Sequence, residues 1–528
     1  MNLLERCGQR ASRAAALVAL AIGLSACGTL PPLENRSVTG ALHNTAETQL
    51  GRAVAREAGA HPGLSGIYPL RDARDAFAAR VLLARTAERS LDVQYYIWHN
   101  DLSGKLLFAS LREAADRGVR VRLLLDDNNT SGLDPTLAAL DAHPNIEVRL
   151  FNPFVIRASR LWGYLTDFSR LNRRMHNKSF TADNQITIMG GRNVGDEYFG
   201  ANDDVGFVDL DVIAAGPVVP QVSQQFDVYW ASESAYPLDS LVGRADAAAV
   251  AEYQAAAAAL VQDPAALVYA DAVRQSPLAQ MLQQGRPMLE WAGTHLVSDD
   301  PGKALDKASA ETLLVSQLRA ILGEPAKEVA LVSPYFVPTQ LGVDAFVRLA
   351  RRGVKVRILT NSLEANDVTP VHAGYAKWRK ALLQAGVQLY ELRHVSGLVG
   401  KDDKDKGSGE RGRLGSSSGA SLHAKTFAVD GERAFVGSFN FDPRSKSLNT
   451  ELGVIIDSPL LAQDLGRAFD TRIPLAAYEV KLSDDGEDLV WLERLGTETR
   501  QHTSEPGSGV LKRGWVKLLS IMPIDWML

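Results

Sequence analysis

The sequence predicts an α/β fold of two similar α/β/α domains that face one another, with one active site at their interface. Three observations carry this. A spaced phrase occurs twice with every offset kept: His176-Asn177-Lys178, Asp183, Gly190-Gly191-Arg192-Asn193, then His423-Ala424-Lys425, Asp430, Gly437-Ser438-Phe439-Asn440. The elements upstream of each copy repeat with it, so a whole domain is duplicated rather than a loop. The 528 residues suit two domains of ordinary size, and a hydrophobic content of 46% supplies a core for each.

In the first half, Leu91 to Trp98 reads as a strand, Gly104 to Arg117 as an amphipathic helix and Val119 to Leu125 as a buried strand. The second half repeats the order at Val329 to Tyr335, Gly342 to Arg352 and Val354 to Leu359. Even the joints agree, Arg117-Gly118-Val119-Arg120-Val121-Arg122 against Arg352-Gly353-Val354-Lys355-Val356-Arg357. A helix that ends on glycine before a buried strand belongs to α/β layering. The predicted domains are residues 61–240 and 291–475. A helical connector joins them over 241–290, Ala-rich from Ala247 to Gln284 and broken at Pro264 and Pro277. Residues 476–528 are expected to form a C-terminal tail ending in an amphipathic helix. A run of charge, Gly and Ser over 401–419 predicts a mobile loop. Its place just before His423 suits either a lid or an inert solvated insertion.

The residue types of the repeated phrase point to phosphoryl chemistry. If each phrase opens on a strand, alternation sets His176 and Lys178 on one face, and likewise His423 and Lys425. Two halves brought together then place two imidazoles and two ammonium groups in one pocket. One imidazole attacks phosphorus while the other, protonated, serves the departing alcohol. The lysines neutralise the non-bridging oxygens, with Asn193 and Asn440 as neutral donors. This scheme requires neither metal nor cofactor.

Both phrases match the H-x-K-x4-D-x6-G-[GS]-x-N motif, and on it the chain resembles the phospholipase D superfamily, in particular its bacterial cardiolipin synthase branch, over roughly residues 60 to 528. The resemblance implies a covalent phosphohistidine on His176, with His423 as acid and then base. It also implies phospholipid substrates.

Supporting roles are expected elsewhere. Asp183 and Asp430 precede turns and read as capping or bridging residues. Gly190, Gly191 and Gly437 let backbone pass close beneath a substrate phosphate. Glu451, in Asn449-Thr450-Glu451-Leu452, and its counterpart Asp209, found by aligning Pro217 with Pro459, either orient the catalytic imidazoles or merely solvate a strand edge. Trp162, Tyr164 and Phe168 suit an acyl groove or a core equally.

The N-terminus speaks to location. Arg6, Arg10 and Arg13 precede an apolar run, Ala14 to Ala26, too short to span a bilayer and shaped like a signal-peptide core. Leu24-Ser25-Ala26-Cys27 resembles the bacterial lipobox, which implies a signal peptide over 1–26, a lipidated Cys27, a linker over 27–60 and a membrane-anchored body facing the periplasm. Inner and outer membrane stay open, as does an uncleaved anchor. Cys7 and Cys27 are the only cysteines, so the mature body has neither a disulfide nor a cysteine cluster for a structural metal. At the other end, Leu511, Trp515, Leu518 and Met522 recur at helical spacing beside Lys512, Arg513 and Lys517, a pattern for a membrane surface or for packing on the body.

Three functions compete. The first is transphosphatidylation, making cardiolipin from phosphatidylglycerol and a second phospholipid without a nucleotide. The second is hydrolysis of phospholipid or, less favoured, of nucleic acid; a net charge of −5 opposes nucleic acid, although Arg170, Arg173 and Arg174 form a local basic run. The third is a non-catalytic lipid-binding lipoprotein, against which two intact acid–base histidines speak. The acceptor, water or a lipid hydroxyl, and the donor headgroup are not legible. Each half supplies one phrase, so one chain holds a complete site with no obligate protein partner.

Overall fold

The computed structural model describes residues 29–34, 36–157, 159–201, 205–283, 289–366, 368–394, 419–523 and 525–528. The signal-like segment with Cys27, and the Gly/Ser-rich loop up to residue 418, lie outside the described residues. Two large mixed sheets organise the chain. Across the first, the strand order is Ser65–Leu70, Asp211–Ala215, Ile186–Gly190, Ser179–Ala182, Ser90–Ile97, Arg120–Asn129, Ile146–Phe151 and Ala235–Pro237. The second repeats that order strand for strand, from Thr294–Ser298 through Leu452–Ile456, Arg433–Gly437, Lys425–Val429, Glu328–Val332, Lys355–Asn361 and Gln388–Leu392 to Ala477–Leu482.

The registers repeat as well. Leu91 lies opposite Ala182, and Val329 opposite Val429, in antiparallel pairs that directly precede Asp183 and Asp430. On their other edges both strands pair in parallel, Leu91 with Val121 and Val329 with Val356. The duplicated arginines of the joints explain themselves here. Arg122 is buried and reaches Asp92, its register partner, at 2.7 and 2.8 Å. Arg357 likewise meets Glu328 and Asp470. A buried guanidinium is stabilised by facing carboxylates, here the strand residues Asp92 and Glu328 and the helix residue Asp470.

Helices Ala73–Thr86 and Leu102–Asp116 cover the outer face of the first sheet over a core of Leu91, Val93, Leu107, Phe108 and Leu123. Helix Thr339–Arg351 covers the second sheet through Val343 and Phe346. Between the sheets lies a joint core in which Met189, Val212 and Val222 of the first half pack with Val436, Val454 and Ala462 of the second. One continuous apolar layer thus welds the halves face to face, which an interface meant to open would not have.

Three helices, Ala247–Leu260, Pro264–Arg274 and Pro277–Gln283, run between the halves, and Tyr269 and Leu278 insert into the first core. The boundary is shared rather than sharp. Glu290–Ala292 adds to the edge of the first sheet, and after Gly293 the chain enters the second sheet at Thr294.

The C-terminal segment differs from the tail expected over 476–528. Ala477–Leu482 pairs with Gln388–Leu392, and Leu489–Leu495 and Glu498–His502 extend the sheet further. The alternating Tyr478, Val480 and Trp491 bury against the second core, so these residues have an apolar face that only a sheet can satisfy. A helix does follow, Val510–Ser520.

Candidate active site

The two repeated phrases meet at the joint face of the sheets. Neither histidine lies within a strand of the large sheets: His176 precedes Ser179–Ala182, and His423 follows the short strand Gly419–Leu422. What holds each is the opposite half. Gly419–Leu422 pairs in parallel with Val205–Val208, and the His423 N–H donates to the Val208 carbonyl at 2.9 Å. By the same pseudo-symmetry, Met175 bridges Thr450, and the His176 N–H donates to the Thr450 carbonyl at 2.9 Å.

Those partner segments end in the two carboxylates singled out above. Glu451 Oε2 lies 2.8 Å from Nδ1 of His176, and Asp209 Oδ2 lies 2.6 Å from Nδ1 of His423. The pairing is therefore crossed: each half's carboxylate grips the other half's imidazole. Both carboxylates are buried. With Nδ1–H committed to a carboxylate, Nε2 carries the lone pair. Each lysine folds back to donate to the carbonyl of its own histidine, Lys178 to His176 and Lys425 to His423. Lys425 Nζ is also 3.0 Å from His423 Nδ1. Aromatic edges fix the rings: Tyr96 meets His176 and Tyr198 meets His423, both T-shaped at about 5 Å.

The electrostatics separate the two pairs. Burial, then Lys178 and Lys425, hold His176 well below its usual range. Burial and Lys425 draw His423 down to about 3 against the pull of Asp209. Lys178 is itself well below the lysine range, from burial with Lys425 adding to it. Burial and the neighbouring lysines thus both disfavour the imidazolium form of the two rings. The carboxyls part company. Burial pushes Glu451 up to about 7 although Lys178 opposes it. Burial also acts to raise Asp209, but His423, Lys425 and Arg192 outweigh it and leave the carboxyl below its usual range.

The motif glycines serve these carboxylates and the neighbouring strand. A Cβ on Gly191 would stand 2.1 Å from Oδ1 of Asp209. In the second half that position is Ser438, whose hydroxyl donates to Glu451 Oε2. A Cβ on Gly437 would collide with the Leu452 carbonyl at 2.6 Å, and one on Gly190 with Asp211. The close approaches required of these glycines are to protein.

Asp183 and Asp430 sit at the opposite ends of their strands from the histidines. Both adopt positive φ, 53° and 57°. Asp183 accepts the N–H groups of Glu88, Arg89 and Ser90; Asp430 accepts those of Ala326, Lys327 and Glu328. Each ties the turn that opens its domain's parallel strands. Asn193 is buried, accepts from the Ile97 N–H and donates to the Tyr198 hydroxyl, bracing the ring that meets His423. Asn440 is buried with Oδ1 unpartnered.

Several supporting residues carried no signal in the sequence. Asp299 accepts the Glu451 N–H at 2.9 Å and the Lys303 ammonium at 2.8 Å, and Lys303 also donates to the Ser445 carbonyl. Arg192 donates to the Asp209 carbonyl at 2.7 Å and, with Arg80, surrounds the buried Asp211. The basic run is spent internally: Arg174 is buried on Asp126, Arg170 engages Asp167 and Asn152, and Arg173 meets Asp306. It forms no open basic patch. Trp162 and Phe168 are exposed and outside any core, while the Tyr164 hydroxyl donates to Asn128.

Two duplicated α/β/α domains with paired H-x-K phrases at their joint face define a phospholipase D-like protein. The family described as "Cardiolipin synthase, PLD-like domain" matches residues 82–230 and 318–473. The chain belongs to this family. It is 49% identical to cardiolipin synthase C of Escherichia coli K12, over 91% of this chain and all of that protein. It is 25% identical to cardiolipin synthases of Staphylococcus aureus, over 75% of this chain and 65% of theirs. Among solved structures, a phosphatidylserine synthase from Haemophilus influenzae superposes over 90% of this chain and 99% of its own with a TM-score of 0.55 at 13% identity, a likeness of fold.

Proposed function

We propose that the protein is a transphosphatidylase that forms cardiolipin from phosphatidylglycerol and a second phospholipid through a phosphohistidine. The crossed grip of Asp209 on His423 and Glu451 on His176 carries this reading, because it presents Nε2 of two oriented imidazoles to one phosphodiester.

Nε2 of His176 attacks phosphorus, and the P–O bond to the leaving headgroup breaks as His423 gives that oxygen its proton. An incoming lipid hydroxyl then loses its proton to His423 while its oxygen displaces Nε2 from phosphorus. The phosphoramidate keeps the energy of the first ester, so no nucleotide is needed. The unequal carboxyls favour this direction. An ionised Asp209 stabilises an imidazolium at His423, whereas Glu451, titrating near 7, suits a neutral nucleophile at His176. A bound phosphate anion offsets the lysines that depress both rings. Lys178 and Lys425 supply charge to the phosphoryl oxygens, and Asn193, Asn440, Asp183 and Asp430 hold the frame around them.

The body acts at a membrane surface facing the periplasm, anchored through Cys27. This rests on the N-terminal pattern and on phospholipid as substrate; among the described residues no helix is long and apolar enough to cross a membrane.

Mass spectrometry on vesicles of phosphatidylglycerol and phosphatidylethanolamine tests the reaction. Cardiolipin formed by the unaltered chain and abolished in His176→Ala and in His423→Ala is the expected result. Phosphatidic acid alone would make the enzyme a hydrolase, and no lipid turnover would overturn the reading.

A further inference from the structure

The C-terminal helix Val510–Ser520 carries more apolar surface than its packing uses. Val516 and Leu519 bury against Leu363 and Ala373, which is enough to seat it on the second domain. At 100° per residue Leu511, Trp515 and Leu518 fall within about 60° of one another, beside that seat. They are left in solvent, Leu511 at 91% and Trp515 at 52% exposure. Ile521, Met522 and Trp526 continue the exposed run past the helix end.

A second such surface lies in the first domain. Helix Arg160–Thr166 exposes Leu161, Trp162 and Leu165, and Phe168 follows it. One guanidinium joins the two. Arg444 donates to the Asn172 side chain at 2.8 Å and backbone carbonyl at 2.6 Å, and to the Met527 carbonyl at 3.4 Å; its own N–H meets the Leu528 carbonyl at 2.7 Å. Both apolar runs therefore converge on Arg444, which follows the second catalytic phrase and lies close enough to His176 for its charge to act there. The other run reaches the same histidine through hydroxyl and amide contacts, Tyr164 to Asn128 and Asn128 to Tyr96, whose ring meets His176.

We infer that these two segments form one face that inserts into an anionic phospholipid bilayer and sets the His176 side of the site against the headgroups. This rests on the phospholipid reading above and names the surface through which the substrate is met. Charge selects the occupant. Residues 506–524 contain no Asp or Glu, and among the described residues Lys512, Arg513 and Lys517 enter no ion pair. Lys512 and Arg513 instead donate to backbone carbonyls of Leu363 and Ser508, so the helix that bears the apolar stripe carries three cations and no carboxylate. A second copy docked by two-fold symmetry would set this basic helix beside its own copy, an arrangement that like charges oppose. Two indoles, Trp515 and Trp526, beside lysine and arginine suit the headgroup layer, where an amphipathic ring has both its media.

The test uses the full chain bound to vesicles, with the depth of these indoles rather than partitioning as the readout, since an N-terminal anchor alone would hold the protein there. The emission lost in a Trp515→Phe, Trp526→Phe double variant is expected to be quenched at least twofold by phosphatidylglycerol with brominated acyl chains. Unquenched emission overturns the inference. A Leu511→Glu, Leu518→Glu variant should lose at least tenfold in turnover of vesicle phosphatidylglycerol, through KM, while turnover of a short-chain, monomerically dispersed phosphatidylglycerol stays within twofold. Equal loss on both presentations, or a change in oligomeric state by ultracentrifugation, overturns it as well. If the unaltered chain turns over neither substrate, the reaction proposed above fails, and the quenching still decides the docking face.

Discussion

Replacing Glu451 with Gln tests whether the crossed carboxylates set the tautomer of the nucleophile. Glu451 Oε2 receives both the His176 imidazole and the Ser438 hydroxyl, while Oε1 is buried without a partner. The Ser438 hydroxyl favours the amide oxygen at the Oε2 position, so the N–H of Nδ1 keeps its acceptor and Nε2 keeps its lone pair. The cost is then that of a charged hydrogen bond, about 1.5–3 kcal/mol, or roughly 10- to 150-fold in kcat/KM. Adding Ser438→Ala removes the selection. The amide can then turn its NH2 toward Nδ1, shift the proton to Nε2 and block attack, and the loss should approach ~10⁴-fold, the scale of a wrong tautomer in a triad. The pH profile supplies an independent readout. With the Glu451 carboxyl at about 7, protonation below that pH lets its hydroxyl donate to Nδ1, so kcat/KM falls as pH drops through neutrality. That limb should vanish in Glu451→Gln. A variant within threefold of the unaltered enzyme, or one that keeps the same acid limb, would refute the reasoning.

Three further outcomes are expected. Gly191→Ala forces the Asp209 carboxylate aside, since its Cβ would stand 2.1 Å away; kcat should fall at least tenfold with thermal stability changed by only a few degrees, as read by steady-state kinetics beside calorimetry. Lys303→Met strips the buried Asp299, already pushed up to about 6 by burial, of its cation; urea unfolding should show a loss of about 3–5 kcal/mol, partly recovered by adding Asp299→Asn. Glu505, held down to about 2 by Arg379 against the effect of burial, stabilises the fold above its unfolded value near 4.5 and gives that up as pH falls toward 2. Glu505→Gln should therefore cost roughly 3 kcal/mol at pH 7 and progressively less by pH 3, measured as the gap between the two unfolding curves.

The duplicated fold was legible because both halves carry the same local grammar. Hydrophobic period, a glycine after the helix and the Arg-Gly-Val-x-Val-Arg joint are short-range features, and the register of each sheet follows from them. The two H-x-K phrases were legible because the proposed phosphoryl chemistry draws on those residue types, and a pattern kept at every offset is visible without a structure. Residues 477–502 were harder: their apolar faces are brief, and only the open edge of Gln388–Leu392 turns them into strands.

The amino-acid sequence carries, twice over, the residue set of the proposed chemistry: two imidazoles, two ammonium groups and two acidic residues aligned on Pro217 and Pro459. Tertiary structure alone decided who serves whom. Nothing local links Glu451 to His176 or Asp209 to His423; the joint apolar layer brings segments more than 200 residues apart into register, and the partners exchange across it. It also decided the fine electrostatics, since whether a carboxyl lies above or below its usual range depends on the burial and the charges that close around it. The Asp299–Lys303 pair behind Glu451 has no counterpart in the repeat, so only its place in the folded site reveals it.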